Sequence, residues 1–199
     1  MIFFRRPLCC GPSFFAAMTL MLCAVFASPA SARQNSPPIF ARSADDPALC
    51  ARLAGLSPSV DPDEARRVAY TAYMTGRDLR TEWRVAWLPG IQNFLVNIGA
   101  RKGGLCFQWA HELLIRLDAL KLKTLELHWA ESYPRTPSEH NVIVVTAKGQ
   151  PFAQGILLDN WRYAGHLAWG PIVGDPEYEW KENSAEVARR LQRRAVAPD

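Results

Sequence analysis

Cys106, His140 and Asp159 are of the residue types that together make a thiol nucleophilic. A cysteine attacks a carbonyl carbon and an imidazole carries its proton. A carboxylate orients the imidazole and stabilises its cation. Cys106 follows two glycines in "RKGGLCFQWAHELL" and stands near the first turn of an amphipathic run. Unpaired backbone N–H groups and the positive end of a helix dipole at such a position favour thiolate over thiol. The N–H groups of Cys106 and Phe107 could also hold an oxyanion beside the sulfur. Gly103 and Gly104 are expected to leave the approach to the thiol open.

The elements around these residues follow from periodicity. "LCFQWAHELLIRLDAL" reads as a central, largely buried helix, with Phe107, Ala110, Leu114 and Leu117 on one face and Trp109, Leu113 and Leu120 widening it. His111 lies five residues on, about 140° around that helix, and should face away from the sulfur. An earlier helix opens at Asp61-Pro62, with Glu64 placed for a capping box, and is expected to end at Gly76. A shorter one spans "GIQNFLVNIG". After Leu120 the pattern turns to strands: "KTLELHWAE", "HNVIVVTA", "FAQGILLDNW" and "GHLAWGPIVG". "NSAEVARRLQRR" closes the chain as a basic amphipathic helix with a solvated arginine face. Helices first and antiparallel strands later is an α+β pattern.

"AKGQPF" reads as a hairpin turn. A loop of two residues (Gly149-Gln150) or four (Lys148 to Pro151) gives one register, in which His140 lies opposite Asp159. Directly opposed residues share a face with β-carbons about 4.5–5.5 Å apart, close enough for an imidazole–carboxylate hydrogen bond. A slipped strand would present Asn160 instead. Trp161 and Trp169, just beyond Asp159, are candidates for walling a cleft, with core packing the alternative.

"GGLCFQWA", "EHNVIVV" and "GILLDNWR" resemble the cysteine, histidine and aspartate motifs of the transglutaminase-like branch of the papain-like fold, over roughly residues 90 to 180. The resemblance implies a cysteine-bearing central helix packed on an antiparallel sheet that carries the other two residues. It implies a peptidase, crosslinker, amidase or deamidase chemistry, and a bacterial exported family of unsettled substrate. The papain branch places a glutamine a few residues before its cysteine as an oxyanion donor. Here the nearest upstream amides are Asn97, Asn93 and Gln92, so a second donor is not assigned.

The N-terminus has the three parts of a secretory signal peptide: "MIFFRRP", an apolar "FFAAMTLMLCAVFA" and "ASPASA" before Arg33. Cleavage is expected after Ala32. Residues 33–47 then form a flexible polar leader, and residues 48–199 a single domain. The rival reading is an uncleaved membrane anchor, the only membrane contact expected. Loss of Arg5 and Arg6 lowers the formal charge from +4 to about +2, which gives no reason to expect nucleic acid. Of the five cysteines, Cys50 and Cys106 lie beyond the leader.

The expected protein is an exported, periplasmic or secreted, thiol enzyme acting on a protein, peptide or cell-envelope amide or ester. No cofactor is called for. A metal site of Cys106, His140 and Asp159 lacks any close-spaced ligand pair. The competing class is a non-catalytic envelope scaffold or binding module held by a Cys50–Cys106 disulfide. A degenerate enzyme that binds without turnover is a third possibility.

Overall fold

The structure is a computed structural model that describes residues 39–40 and 43–196, with side chains from 43 to 193. The expected signal peptide, residues 1–32, lies outside the described residues, as does much of the leader. The elements run β1 (Ile39–Phe40), α1 (Pro47–Ala54), α2 (Pro62–Glu82), α3 (Pro89–Asn97), α4 (Cys106–Asp118), β2 (Leu125–Ser132), β3 (His140–Ala147), β4 (Ile156–Tyr163), β5 (His166–Pro171), β6 (Lys181–Glu182) and α5 (Ser184–Val196). The strands form one antiparallel sheet in the order β1-β5-β4-β3-β2-β6. This is an α+β architecture.

The helices begin where their caps dictate. Asp46 accepts from the N–H groups of Ala48 and Leu49 ahead of Pro47, and Asp61 accepts from Asp63 ahead of Pro62. Glu64 does not complete a capping box. It is buried and accepts from Lys123 N, Thr124 N and Thr124 Oγ1 at 2.7–2.8 Å, tying α2 to the loop before β2. The expected leader is not wholly outside the fold: Ile39 and Phe40 pair with Trp169 and Ala168.

The α2 helix runs straight through Gly76, the expected terminus. A β-carbon there would come within 2.5 Å of Asn160 Oδ1 and of the Gly165 carbonyl. Gly76 therefore serves close approach of helix to sheet rather than helix termination.

Ala65, Val68, Ala69 and Ala72 of α2 and Leu113, Leu114 and Leu117 of α4 pack on Ile143, Val145, Ile156, Leu158 and Trp169. The other face of the sheet buries Val142, Val144, Leu157 and Ile172 under Phe152 and Trp180. β3 is thus covered on both faces, which explains its unbroken β-branched run in an antiparallel sheet. Each fully buried leucine or isoleucine contributes on the order of 1.5–3 kcal/mol, so the strand carrying His140 is firmly anchored.

Candidate active site

Cys106 is the first residue of α4. The turn before it is tightly built. Gln108 Oε1 accepts from Gly104 N and Leu105 N at 3.0 Å, satisfying two donors at the helix start. Trp109 Nε1 donates to Gly104 O at 3.1 Å. Contrary to expectation, the two glycines do not open a path to the thiol, because both are buried. A β-carbon on Gly103 would strike the Trp83 indole at 2.7 Å, and one on Gly104 (φ 128°) the Gln92 side chain at 2.5 Å. They let the chain pass close under those two residues.

The half-buried sulfur of Cys106 meets the start of β3. It lies 3.4 Å from Glu139 O and 3.7 Å from Asn141 Nδ2. Residues 139 and 141 therefore bracket His140 at the thiol. His140 is 1% exposed. Its Nε2 is 2.8 Å from Asp159 Oδ2, while Nδ1 is buried with no hydrogen-bond partner among the described residues. A carboxylate only accepts, so Nε2 carries a proton in either form of the ring, and Nδ1 is the position that gains or loses one. Burial works against a charged imidazole, but the Asp159 carboxylate outweighs it and, with Cys106 nearby, raises the ring's pKa to about 9. Cys106 biases the ring without completing a well-aligned hydrogen bond to Nδ1.

Asp159 is held by four donors. Oδ2 also accepts from Arg162 Nε at 3.1 Å, and Oδ1 accepts from the N–H groups of Trp161 and Arg162 at 2.9 and 3.0 Å. An irregularity in the β4–β5 pairing between Asp159 and Tyr163 turns those backbone groups toward the carboxylate. Burial pushes its pKa up, but His140 and Arg162 overcome that and hold it below the ordinary carboxylate range. Arg162 continues the chain: Nη1 and Nη2 grip Asp175 at 3.2 and 2.6 Å. The result is a buried alternation of His140, Asp159, Arg162 and Asp175.

Three aromatic rings enclose the imidazole. Trp161, Tyr178 and Trp180 lie with ring centroids 4.6, 4.8 and 5.4 Å from it. Trp161 is thus a wall of the site, with its indole N–H on Asn93 Oδ1 at 3.2 Å. Trp169, the other expected wall, is 4% exposed and belongs to the core under α2 and α4. Residues 172–180 fold Tyr178 and Trp180 over the ring and line a surface pocket of about 510 Å³ with Tyr133.

The expected hairpin register is off by two. Val145 pairs with Ile156 and Ile143 with Leu158, because residues 148–155 form a longer loop containing a 3-10 turn at Phe152–Gln154. His140 and Asp159 are therefore not opposed, yet an even shift keeps them on the same face. Asn160 points to α2 and donates to Ala72 O at 3.2 Å.

Of the upstream amides, Gln92 is spent on the loop, bonded to Gly103 O at 2.6 Å and Ala86 N at 2.8 Å. Asn93 serves Trp161. The amide at the sulfur is Asn141, which sequence reasoning passed over. Trp129 Nε1 donates to its Oδ1 at 2.9 Å, and an indole N–H can only donate, so Nδ2 must face Cys106. Arg162 and Asp175 were also missed. The spacing Asp-x-x-Arg across a bulge was the available signal for Arg162.

Cys50 lies on α1, half-buried against the core, and both it and Cys106 are free thiols. The Cys50–Cys106 disulfide is therefore absent. Burial, and then Asp46 and Asp45, raise the Cys50 pKa. No group of three or more His, Cys, Asp or Glu among the described residues has metal-binding geometry. Comparison with protein-family models, with curated proteins and with solved structures finds no match.

Proposed function

We propose that this protein is an exported thiol enzyme that transfers or hydrolyses acyl groups at amides or esters, on a papain-like fold of the transglutaminase-like branch. One observation carries the reading. The unpaired Nδ1 of His140 is buried beside Cys106 while Nε2 is fixed by Asp159. A buried imidazole with one nitrogen engaged and the other idle next to a thiol suits proton transfer far better than packing.

In this mechanism the thiol proton resides on Nδ1 of the charged ring, whose pKa of about 9 holds it there near neutral pH, and Sγ forms a bond to the carbonyl carbon. The carbonyl π pair moves to oxygen. The first two N–H groups of α4, on Cys106 and Phe107, have no intrahelical acceptor and can receive that oxyanion. Asn141 Nδ2 is a further donor at the sulfur. The tetrahedral intermediate collapses with scission of the C–N or C–O bond, and His140 returns its proton to the leaving group. Water, deprotonated by His140, then cleaves the thioester to an acid. An amine in its place yields a new amide. Either nucleophile restores the thiol.

Support for an exported site of action comes from the signal-like residues 1–32. The substrate class that fits is a protein, peptide or cell-envelope amide. The test is acyl-enzyme capture: the protein is mixed with an activated ester, quenched in acid and mapped by mass spectrometry. One acyl group on the Cys106 peptide, absent in Cys106→Ala and greatly slowed in His140→Gln, is expected. An unmodified Cys106, or acylation indifferent to His140, would refute the reading.

A further inference from the structure

The α3 helix is inside out. Its most buried residue is Gln92, 1% exposed, whereas Ile91, Phe94 and the capping Ile98 are 44, 61 and 58% exposed. Those three recur at spacings of three and four and so form one stripe. Trp87, 75% exposed, and Leu88, 40% exposed, extend the apolar surface at the helix's N-terminal end. The polar side makes the intramolecular contacts instead: Gln92 to Gly103 O and Ala86 N, Asn93 to Trp161. A helix that used its apolar face for folding would bury that face. Here it is left for something outside the domain.

Charge identifies the occupant. Residues 85–100 contain no charged side chain, and cations stand at both ends, Arg84 before the stretch and Arg101 and Lys102 after it. These three line one surface pocket beside Trp83 and Ala100, with Glu82 its only carboxylate. Arg101 donates to the Arg84 and Ala100 carbonyls, and none of the three cations forms an ion pair among the described residues. An uncharged helix with Ile and Phe exposed, preceded by an exposed Trp and flanked by three cations, sets an apolar face beside the basic residues that anionic headgroups attract. No helix among the described residues is long and apolar enough to cross a membrane, and the mode here is to lie on one.

We propose that α3 docks the protein on an anionic lipid bilayer, with Trp87, Ile91, Phe94 and Ile98 at headgroup depth and Arg84, Arg101 and Lys102 against lipid phosphates. The inference is independent of the role of Cys106.

The apolar residues 14–27 could carry the full chain to any bilayer, so the test reads α3 itself. Hydrogen exchange of residues 87–98 in the full chain is compared without lipid, with phosphatidylglycerol vesicles and with phosphatidylcholine vesicles. The variants are Phe94→Ser/Ile98→Ser and Arg101→Glu/Lys102→Glu, with thermal midpoints confirming that both fold. Phosphatidylglycerol should slow exchange there and phosphatidylcholine should not. Added salt and the charge-reversal variant should both remove the protection. The apolar double variant should need about 30-fold more lipid for the same protection. No lipid-induced change at 87–98, or an equal change with phosphatidylcholine or in both variants, would overturn the proposal. Protection that grows with protein concentration without lipid would assign the face to a second copy. Protection already complete in the lipid-free monomer would assign it to the chain's own residues 14–27. Either result would also overturn it.

Discussion

His140 Nε2 lies 2.8 Å from Asp159 Oδ2 although the two residues are not cross-strand partners. They are diagonal neighbours on one face of the sheet. Diagonal neighbours sit about 7–8 Å apart with their β-carbons somewhat closer, a gap that an imidazole and a carboxylate together can span. The bulge after Asp159 makes the reach possible by turning two backbone N–H groups onto the carboxylate's other oxygen. Asp159 is thus aimed by its own strand, and His140 by Asp159.

This pairing makes stability depend on pH in a defined way. The folded His140 pKa, about 9, is above its ordinary 6.5. Its contribution is complete below 6.5 and is lost as pH rises through about 9. Asp159 is depressed below its ordinary 3.8, so its contribution is present above 3.8 and lost as pH falls through the lower folded value. Denaturant midpoints of wild type and His140→Gln, measured from pH 3 to 10, should therefore differ most between about pH 4 and 6.5. The difference should shrink toward pH 10. A constant difference would show that the ring is not charged in the fold.

Arg162→Met should be costly. It leaves Asp159 and Asp175 buried without their shared cation, and breaking a buried pair costs on the order of 3–5 kcal/mol. Urea unfolding measures it. A loss under about 1 kcal/mol would place Arg162 with weakly contributing surface pairs.

Asn141 separates a donor role from a packing role. Asn141→Asp keeps the acceptor for the Trp129 indole and removes the Nδ2 donor, which serves both Cys106 Sγ and Glu139 Oε1. Ester acylation at saturation should fall about 10- to 1,000-fold in Asn141→Asp and Asn141→Ala alike, with little change in half-saturating concentration. Loss confined to Asn141→Ala would mean that the amide only supports Trp129.

Much of this site was legible before the coordinates. The order and types of Cys106, His140 and Asp159, and the helix and strands beneath them, follow from motif and period. The hairpin register did not, because a 3-10 turn adds residues to the loop without changing the hydrophobic pattern. The even shift preserved the shared face, which is why the His140–Asp159 contact survives a wrong register. Trp169 and Trp161 look equivalent in sequence, and only strand pairing sends one to the core and the other onto the imidazole. Asn141 reads as one more residue of a buried strand until the indole of Trp129 fixes its amide. Gly76 reads as a helix stop because local propensity is blind to the sheet behind it.

Gly76→Ala puts that last point to the test. Alanine is normally favoured over glycine inside a helix by about 1 kcal/mol. Here the new methyl would press on the Gly165 carbonyl and on Asn160, which is itself bonded to α2. Overpacking of this kind costs about 1–3 kcal/mol, so a net loss of stability is expected. A rise in thermal midpoint would mean that α2 can move off the sheet at little cost.

The most direct measurement uses the protein's own second thiol as a control. Cys106 and Cys50 are both free and both half-buried, and Cys106 adjoins the His140 imidazole. Alkylation of the folded protein by iodoacetamide near pH 7, with each peptide quantified by mass spectrometry, compares them in one tube. Cys106 should react at least about tenfold faster than Cys50, and His140→Gln should remove that advantage. Equal rates for the two cysteines, or a fast Cys106 that ignores the loss of His140, would contradict the assignment of Cys106 as a nucleophile activated by His140.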